Sequence, residues 1–254
     1  MIATDRMVTQ PGFMEFEHTG SKMVELSARA AVMVAGSTLD GMRLVTDAAA
    51  AELPEEVAEI AAELGRRYAA ARRARTEQIL GTHGLSFESF HSMHGSLNPQ
   101  VVMMLEGALE QYDLGVELLL AGVDGSGAHI HTNQNPGGGN QRHDPIGWAA
   151  IGIGAPHVTT SMAALGHSAS EEYKQTLFKV YASKRQAEVA PGVGRETEMA
   201  VIANDGVKRL DGAVLAKLAL IYDEYRSITG AKLQERLASF DPERSDDDAD
   251  GSTP

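Results

Sequence analysis

The sequence predicts a mixed α/β protein whose sheets are mainly antiparallel and lie between helices. Stretches rich in β-forming residues come in pairs joined by turn motifs, such as Asp124–Gly127 (DGSG) and Asn204–Gly206 (NDG), which are typical of β-hairpins. Helical patterns come in blocks between these pairs, which disfavours alternating βαβ units. The segment Ala30–Ala35 is apolar throughout, as expected of a strand that is covered on both faces. A length of 254 residues is compatible with one domain.

The predicted strands begin at the N-terminus with Ile2–Thr9, which mixes β-forming and polar residues and ends in a turn at Gln10–Gly12. Lys22–Leu26 forms a second pair with Ala30–Ala35. The glycine-rich segment Asn135–Asn140 is predicted to be an irregular loop. The remaining strands are predicted from β-forming runs between turn residues, at Glu117–Val123, Ala128–Gln134, Ile146–Ile151, Met199–Ala203 and Val207–Leu210.

The predicted helices are indicated by capping residues and by apolar positions at helical spacing. Ser37 is placed to cap the first helix, with Asp40 three residues later. Pro54 opens a long helix whose early turns are acidic and whose end is rich in arginine, a polarity that complements the helix dipole. Further helices are predicted from such signals over Val101–Tyr112, Pro156–Leu165, Ser170–Glu188, Gly212–Arg226 and Ala231–Ser239.

These elements predict one domain over residues 1–240, with a helical elaboration at about residues 54–112. The five arginines between residues 66 and 75 are predicted to form a solvated helix face, with polyanion binding as the alternative. Residues 241–254 form an acidic tail that has almost nothing to bury. The tail is therefore predicted to be disordered.

The composition disfavours several classes of protein. A formal net charge of −13 disfavours a general nucleic-acid binder, because phosphate contacts require basic surface. The absence of cysteine excludes disulfides, thiolate nucleophiles and thiolate metal sites. The sequence has neither a run of about 20 apolar residues nor a secretory signal. We therefore expect no membrane partner and a cytoplasmic location.

Several segments, taken in order, resemble a known family. Residues 3–6 (ATDR), the short strand led by Lys22, and the run AVMVAG ending at Gly36 are similar to the early part of a proteasome β-type subunit. The later segments 116–131 (VELLLAGVDGSGAHIH), 146–157 (IGWAAIGIGAPH) and 198–202 (EMAVI) continue the resemblance to Ile202. It implies a four-layer αββα sandwich of two mainly antiparallel sheets, whose N-terminal strand is missing here.

The resemblance also implies the chemistry of an N-terminal-nucleophile hydrolase. In this family a terminal threonine hydroxyl attacks an amide carbonyl. The free α-amine, with a usual pKa of about 7.7–8.0, or a water relays the proton. Lys22 matches the lysine that favours the alkoxide, Asp5 the residue that orients it, and Gly36 the oxyanion donor. The simpler interpretation of these residues is a surface ion pair and a tight turn.

The implied activity is that of a threonine-type peptidase or amidase, which acts on a peptide or amide substrate without a metal or other cofactor. The family works as stacked rings, so the resemblance implies a homo-oligomeric ring.

Three departures from the family pattern bear on activity. Met1 and Ile2 carry no nucleophilic hydroxyl, and Thr4 becomes terminal only if more of its strand is removed. The segment Gly152–Ala155 lacks the serine that active members carry. The late loop VAPGVGRETE lacks the family's aspartate. The candidate substitutes for that aspartate are Glu188, Glu196 and Glu198.

Two explanations for the missing nucleophile stay open. The reading frame begins upstream of Met1, or the chain is a non-catalytic structural subunit. A sheet without that strand leaves backbone groups unpaired, which favours the upstream start.

Histidine pairs suggest a different class of protein. His129 and His131 are two residues apart, and His91 and His94 are three apart, so each pair shares a face of a strand or helix. A catalytic zinc site usually needs a third protein ligand, and the sequence has no HExxH motif. Ordinary hydrogen-bonded histidines are the expectation, and no metal is predicted. A GxSxG nucleophile elbow and a Walker-type GK[ST] sequence are also absent.

Overall fold

The computed structural model describes residues 1–10, 14–136 and 138–238. The chain divides into two units, Met1–Leu210 and Asp211–Pro254. The strands, all in the first unit, are β1 (Ile2–Thr4), β2 (Met7–Gln10), β3 (Met14–Glu17), β4 (Met23–Ser27), β5 (Ala30–Gly36), β6 (Val116–Asp124), β7 (Gly127–Gln134), β8 (Gly139–Arg142), β9 (Glu198–Ala203) and β10 (Gly206–Arg209).

The helices of the first unit are α1 (Thr38–Ala49), α2 (Val57–Gly81), α3 (Phe87–Met93), α4 (Pro99–Gln111), α5 (Ala155–Ala164) and α6 (Tyr173–Ala187), and the second unit contains α7 (Gly212–Ala238). No helix in these described ranges is both long and apolar enough to cross a bilayer. The predicted acidic tail at 241–254 lies outside the described residues, as does most of the predicted turn at 10–12.

The strands of the described chain form three antiparallel sheets. The largest has the order β4-β5-β6-β7-β8, the second has the order β1-β9-β10, and β2 pairs with β3. The two hairpin motifs join β6 to β7 and β9 to β10. The predicted mixed α/β class with antiparallel sheets is therefore confirmed.

Strand β5 is buried on both faces, as its apolar run predicts. Ala30, Val32 and Val34 lie in one core cluster with side chains of α1 and α2. Ala31 and Met33 lie in a second cluster, which includes residues of β1 and β9. Full burial of an aliphatic side chain contributes about 1.5–3 kcal/mol, so this strand anchors both clusters. Gly41 allows α1 to lie close to the sheet, because a Cβ there would be 2.4 Å from Val34 Cγ1.

Two strand predictions are wrong in detail. Ile2–Thr9 is not one strand, because the chain leaves β1 at Asp5 and Arg6, whose side chains bind distant partners. Ile146–Ile151 is not a strand, although Ala149 and Ile151 still pack against the second cluster. The free edge of β7 is instead paired with β8, which begins within the segment predicted to be an irregular loop.

Three helix predictions also differ from the structure. Helix α2 begins at Val57 rather than Pro54, because Asp124 Oδ2 accepts the Val57 N–H at 3.0 Å. Helix α6 begins after Glu172, while Ser170 bonds the Ser168 hydroxyl instead of capping the helix. The two predicted C-terminal helices are one continuous helix, α7.

The arginines of α2 bind groups within the protein. Arg66 and Arg67 pair with Glu63, which lies one turn earlier in the helix. Arg75 pairs with Asp40 of α1 at 2.9 Å, and Arg72 donates to carbonyls at the end of α4. Four of the five arginines therefore bind carboxylates or carbonyls of the protein, which favours the predicted helix face over a polyanion site.

Candidate functional site

The predicted ion pair between Asp5 and Lys22 is formed. Lys22 Nζ donates to Asp5 Oδ1 at 2.7 Å, and the two side chains are only 20% and 17% exposed. The same Asp5 oxygen accepts the Met7 N–H at 2.6 Å, which fixes the carboxylate. The backbone of Lys22 is fixed by a hydrogen bond, because its carbonyl accepts the Val34 N–H at 3.0 Å. The pair therefore joins the end of β1 to the start of β4.

Gly36 lies at the junction of β5 and α1. Its φ of +82° lies in the left-handed region, and a Cβ there would be 2.0 Å from the Gly115 carbonyl oxygen. The next residue, Ser37, donates its N–H to that same oxygen at 2.6 Å. Only glycine fits this junction. Val34, two residues before Gly36 in β5, donates its N–H to the Lys22 carbonyl. Gly36 and Lys22 therefore lie at the same end of the sheet.

The loop before α5 reaches the same end of the sheet. A Cβ on Gly152 would be 3.0 Å from Ala35 Cβ, so this loop touches the residue before Gly36. The Gly152 N–H donates to Glu117 Oε2 at 3.0 Å, and Glu117 pairs with Ala35 across β5 and β6. The segment that lacks the family's serine therefore adjoins the predicted site, and a backbone N–H is directed at a carboxylate there.

A second lysine, which sequence reasoning missed, belongs to this region. Lys184 of α6 is buried, and its ammonium donates to Glu188 Oε1 at 2.7 Å, the Gly194 carbonyl at 2.9 Å and the Arg195 carbonyl at 3.1 Å. Burial lowers the pKa of Lys184, while the charges of Glu188 and Asp5 oppose that shift. Helix α6 also contacts β1.

The three glutamates proposed as substitutes for the missing aspartate are paired with other cations. Glu188 binds Lys184, as described above. Glu198 pairs with Arg6 at 2.7 Å, and Glu196 pairs with the same guanidinium at 3.5 Å. The glutamates are therefore paired with Arg6 and Lys184, whereas Lys22 is paired with Asp5.

A separate polar centre lies at the turn between β6 and β7. Ser126 Oγ is 2.8 Å from His129 Nε2, and His129 Nδ1 is 2.7 Å from Asp144 Oδ2. These contacts have the connectivity of a Ser-His-Asp triad. A second carboxylate changes its chemistry, because Asp124 Oδ1 lies 3.1 Å from the same Nε2 and 2.8 Å from Ser126 Oγ.

The electrostatics of this centre favour an imidazolium. Burial alone would lower the pKa of His129, but hydrogen bonds to Asp144 and Asp124 raise it overall. Protonated His129 donates to a carboxylate from each ring nitrogen, and Ser126 then donates its hydroxyl proton to Asp124. While His129 is protonated, it cannot accept a proton from Ser126, so in this state the contacts hold the turn together and do not activate the serine.

The remaining members of the two histidine pairs are His131, His91 and His94. His131 is buried, and its Nδ1 lies 2.9 Å from Asn140 Oδ1. His91 and His94 are exposed, and His94 pairs with Glu106 at 2.9 Å. Within the described ranges, no group of three or more His, Asp or Glu side chains is placed to hold a metal ion.

No protein-family model matches the sequence, and no curated protein matches it. What the residues can do chemically is therefore judged from their geometry. Where β4 begins and β5 ends, an ammonium fixed by a carboxylate lies near a glycine at a strand-to-helix junction. Such groups stabilise a developing oxyanion or alkoxide.

Proposed function

We propose that this chain is a proteasome-like N-terminal-nucleophile hydrolase, a threonine-type peptidase or amidase whose site includes Lys22, Asp5 and Gly36. The observation that carries the proposal is the 2.7 Å contact between Lys22 and Asp5 at the end of the sheet where β5 turns into α1. These residues are far apart in the sequence. An ion pair between side chains about four-fifths buried needs specific support from the fold.

We also propose the four-layer αββα arrangement for the first unit. Helices α1 and α2 pack on one face of the five-stranded sheet. The other face shares a core cluster with β1 and β9, and α6 contacts β1. These contacts support the order helices, sheet, sheet, helices.

In the proposed reaction, the hydroxyl of a terminal threonine attacks an amide carbonyl, and its proton passes to the adjacent α-amine. Lys22 stabilises the developing alkoxide, and Asp5 holds the ammonium in place. The Gly36 N–H is the proposed donor to the tetrahedral oxyanion. The C–N bond then breaks, and the departing amine takes the proton. Water hydrolyses the remaining ester and restores the nucleophile.

The second candidate is a non-catalytic structural subunit of the same kind of assembly. Two observations favour it. Gly152 and Gly154 supply no hydroxyl beside the site, and the Thr4 hydroxyl donates to the Asp5 carbonyl at 3.2 Å from within the paired strand β1. In this alternative, the Lys22–Asp5 pair serves only to join β1 to β4.

The test begins with the N-terminus of the protein isolated from its native host, determined together with the intact mass. Its turnover of a panel of fluorogenic peptides is then compared with that of a form that starts at Met1. We expect turnover only when Thr, Ser or Cys is terminal. Lys22→Ala should then lower kcat/KM by an amount equivalent to about 3–4 kcal/mol. Lys208→Ala is the matched control, because Lys208 is an exposed lysine paired only locally with Asp205.

Robust hydrolysis by the form that starts at Met1 would refute the nucleophile assignment. A native protein with a terminal hydroxyl or thiol that is inert towards the whole panel would favour the structural subunit.

A further inference from the structure

Lys184 is a buried cation that the proposed reaction does not use directly. Its side chain is 7% exposed, and that of its partner Glu188 is 10% exposed. Taking two such charges out of water is costly unless hydrogen bonds satisfy them. Here the ammonium has three acceptors, of which two are the carbonyls of Gly194 and Arg195. The lysine therefore attaches the loop at 189–197 to helix α6.

The same loop is held from its other side by Glu17. Glu17 Oε1 accepts the N–H groups of Arg195 at 2.6 Å and Glu196 at 3.0 Å. Two consecutive peptide units are thus fixed by a cation at their carbonyls and an anion at their amides. The loop leads directly into β9, which pairs with β1 one residue before Asp5.

We propose that Lys184 is a positioning residue for the Asp5–Lys22 site. It fixes the 189–197 loop and α6 beside β1, and Asp5 is the residue that follows β1. Asp5 in turn holds Lys22. This inference rests on the proposed amide hydrolysis, and it assigns to Lys184 an effect on the rate of the chemical step.

Lys179 provides a matched control within the same helix. Its ammonium also binds one carboxylate, that of Glu171, and one loop carbonyl, that of Gly166 at 3.1 Å. Its side chain is 15% exposed, so it too is largely buried. Both of its partners belong to the turn between α5 and α6. A general loss of helix packing should therefore appear in both lysine variants.

The experiment compares Lys184→Met with Lys179→Met in the full native protein, using steady-state kinetics and hydrogen exchange. In Lys184→Met, we expect kcat to fall about tenfold or more while KM changes by less than about twofold, because positioning acts on the transition state. The Arg195 and Glu196 amides should exchange about tenfold faster, since two carbonyls lose a charged donor. Lys179→Met should leave both quantities near wild type.

Lys184→Met also leaves the Glu188 carboxylate without its cation, so this variant has a folding risk. The double variant Lys184→Met/Glu188→Gln removes both charges and should show the same fall in kcat with a smaller loss of melting temperature.

Unchanged exchange at Arg195 and Glu196, or faster exchange with wild-type kcat, would overturn the inference while the proposed function stands. Wild-type protein that is inactive despite a terminal nucleophile would overturn both.

Discussion

The centre formed by His129, Asp124 and Asp144 should make stability depend on pH in a defined direction. Folding raises the pKa of His129 above its usual value of 6.5, because the hydrogen bonds to Asp144 and Asp124 outweigh the effect of burial. Its contribution is therefore complete below pH 6.5 and is lost as the pH rises through the higher, folded pKa. The carboxylates act in the opposite sense, because hydrogen bonding lowers their pKa values and their contribution is lost as the pH falls.

The size of these effects follows from the contacts. Although burial opposes the shift, hydrogen bonds from His129, the Ile130 N–H and Arg142 lower the pKa of Asp144 from 3.8 to about 2. That difference corresponds to at most about 2.5 kcal/mol, and screening by solvent reduces it towards 1 kcal/mol. Replacing His129, whose side chain is 9% exposed, leaves two carboxylates without their shared cation. His129→Gln should therefore lower the free energy of unfolding by about 3 kcal/mol.

Urea unfolding monitored by circular dichroism between pH 3 and pH 9, a range set by these pKa values, is the appropriate assay. The stability that this centre contributes, measured as the difference between wild type and His129→Gln, should be largest between about pH 4 and pH 6.5, where the carboxylates are ionised and the imidazole is protonated. It should decline above that range, and His129→Gln should not show the alkaline decline. His94→Gln is the matched control, because His94 is half exposed and pairs with a single glutamate. A flat wild-type profile above pH 6.5, or an unchanged slope in His129→Gln, would refute the imidazolium assignment.

Three further outcomes are expected. Gly36→Ala should lower the free energy of unfolding by on the order of 3 kcal/mol or more, because the added Cβ would collide with the Gly115 carbonyl. Gly84→Ala is the control, because Gly84 also has a positive φ (+70°) but has open space around it. This variant should cost about 1 kcal/mol in urea unfolding. Asp5→Asn should lower kcat/KM of the active form less than Lys22→Ala, because Asp5 acts by orienting the lysine; a larger loss in Asp5→Asn would contradict that role. Light scattering of the native protein should show a homo-oligomer larger than a dimer, and a clean monomer at micromolar concentration would contradict the ring.

The parts of the fold that could be predicted from sequence are those specified by neighbouring residues. The β5 strand is recognisable because alternate residues fill two different core clusters. The β6–β7 and β9–β10 hairpins are recognisable from their turn residues. Failures occur where a distant group decides the outcome. The start of α2 depends on Asp124, which is 67 residues away along the chain, and no local signal near Pro54 indicates that contact.

The candidate site shows the same division. The Asp5–Lys22 pair was predicted only through the ordered resemblance, because nothing in the composition joins two residues 17 positions apart. Within the predicted helix over Ser170–Glu188, no sequence feature distinguishes Lys184 from the other polar residues. Its burial depends on two loop carbonyls, those of Gly194 and Arg195. The hydrophobic periodicity of the sequence does not predict the position of that loop. A lysine followed four residues later by glutamate is an ordinary helical pair, so sequence alone offered no signal for a buried one.

The groups around the site converge because each lies where regular structure stops. Asp5 follows β1, Lys22 precedes β4, and Gly36 ends β5. Backbone groups within a sheet are satisfied by neighbouring strands, and the side chains there are directed into a core. Only the ends of the strands can therefore present both a polar side chain and a backbone N–H to the same small region. The pair of Lys184 and Glu188 keeps one such end in place without adding net charge to it, since each ion neutralises the other. Lys184 and Glu188 therefore position the site, and the charge that the proposed chemistry requires is supplied separately by Lys22.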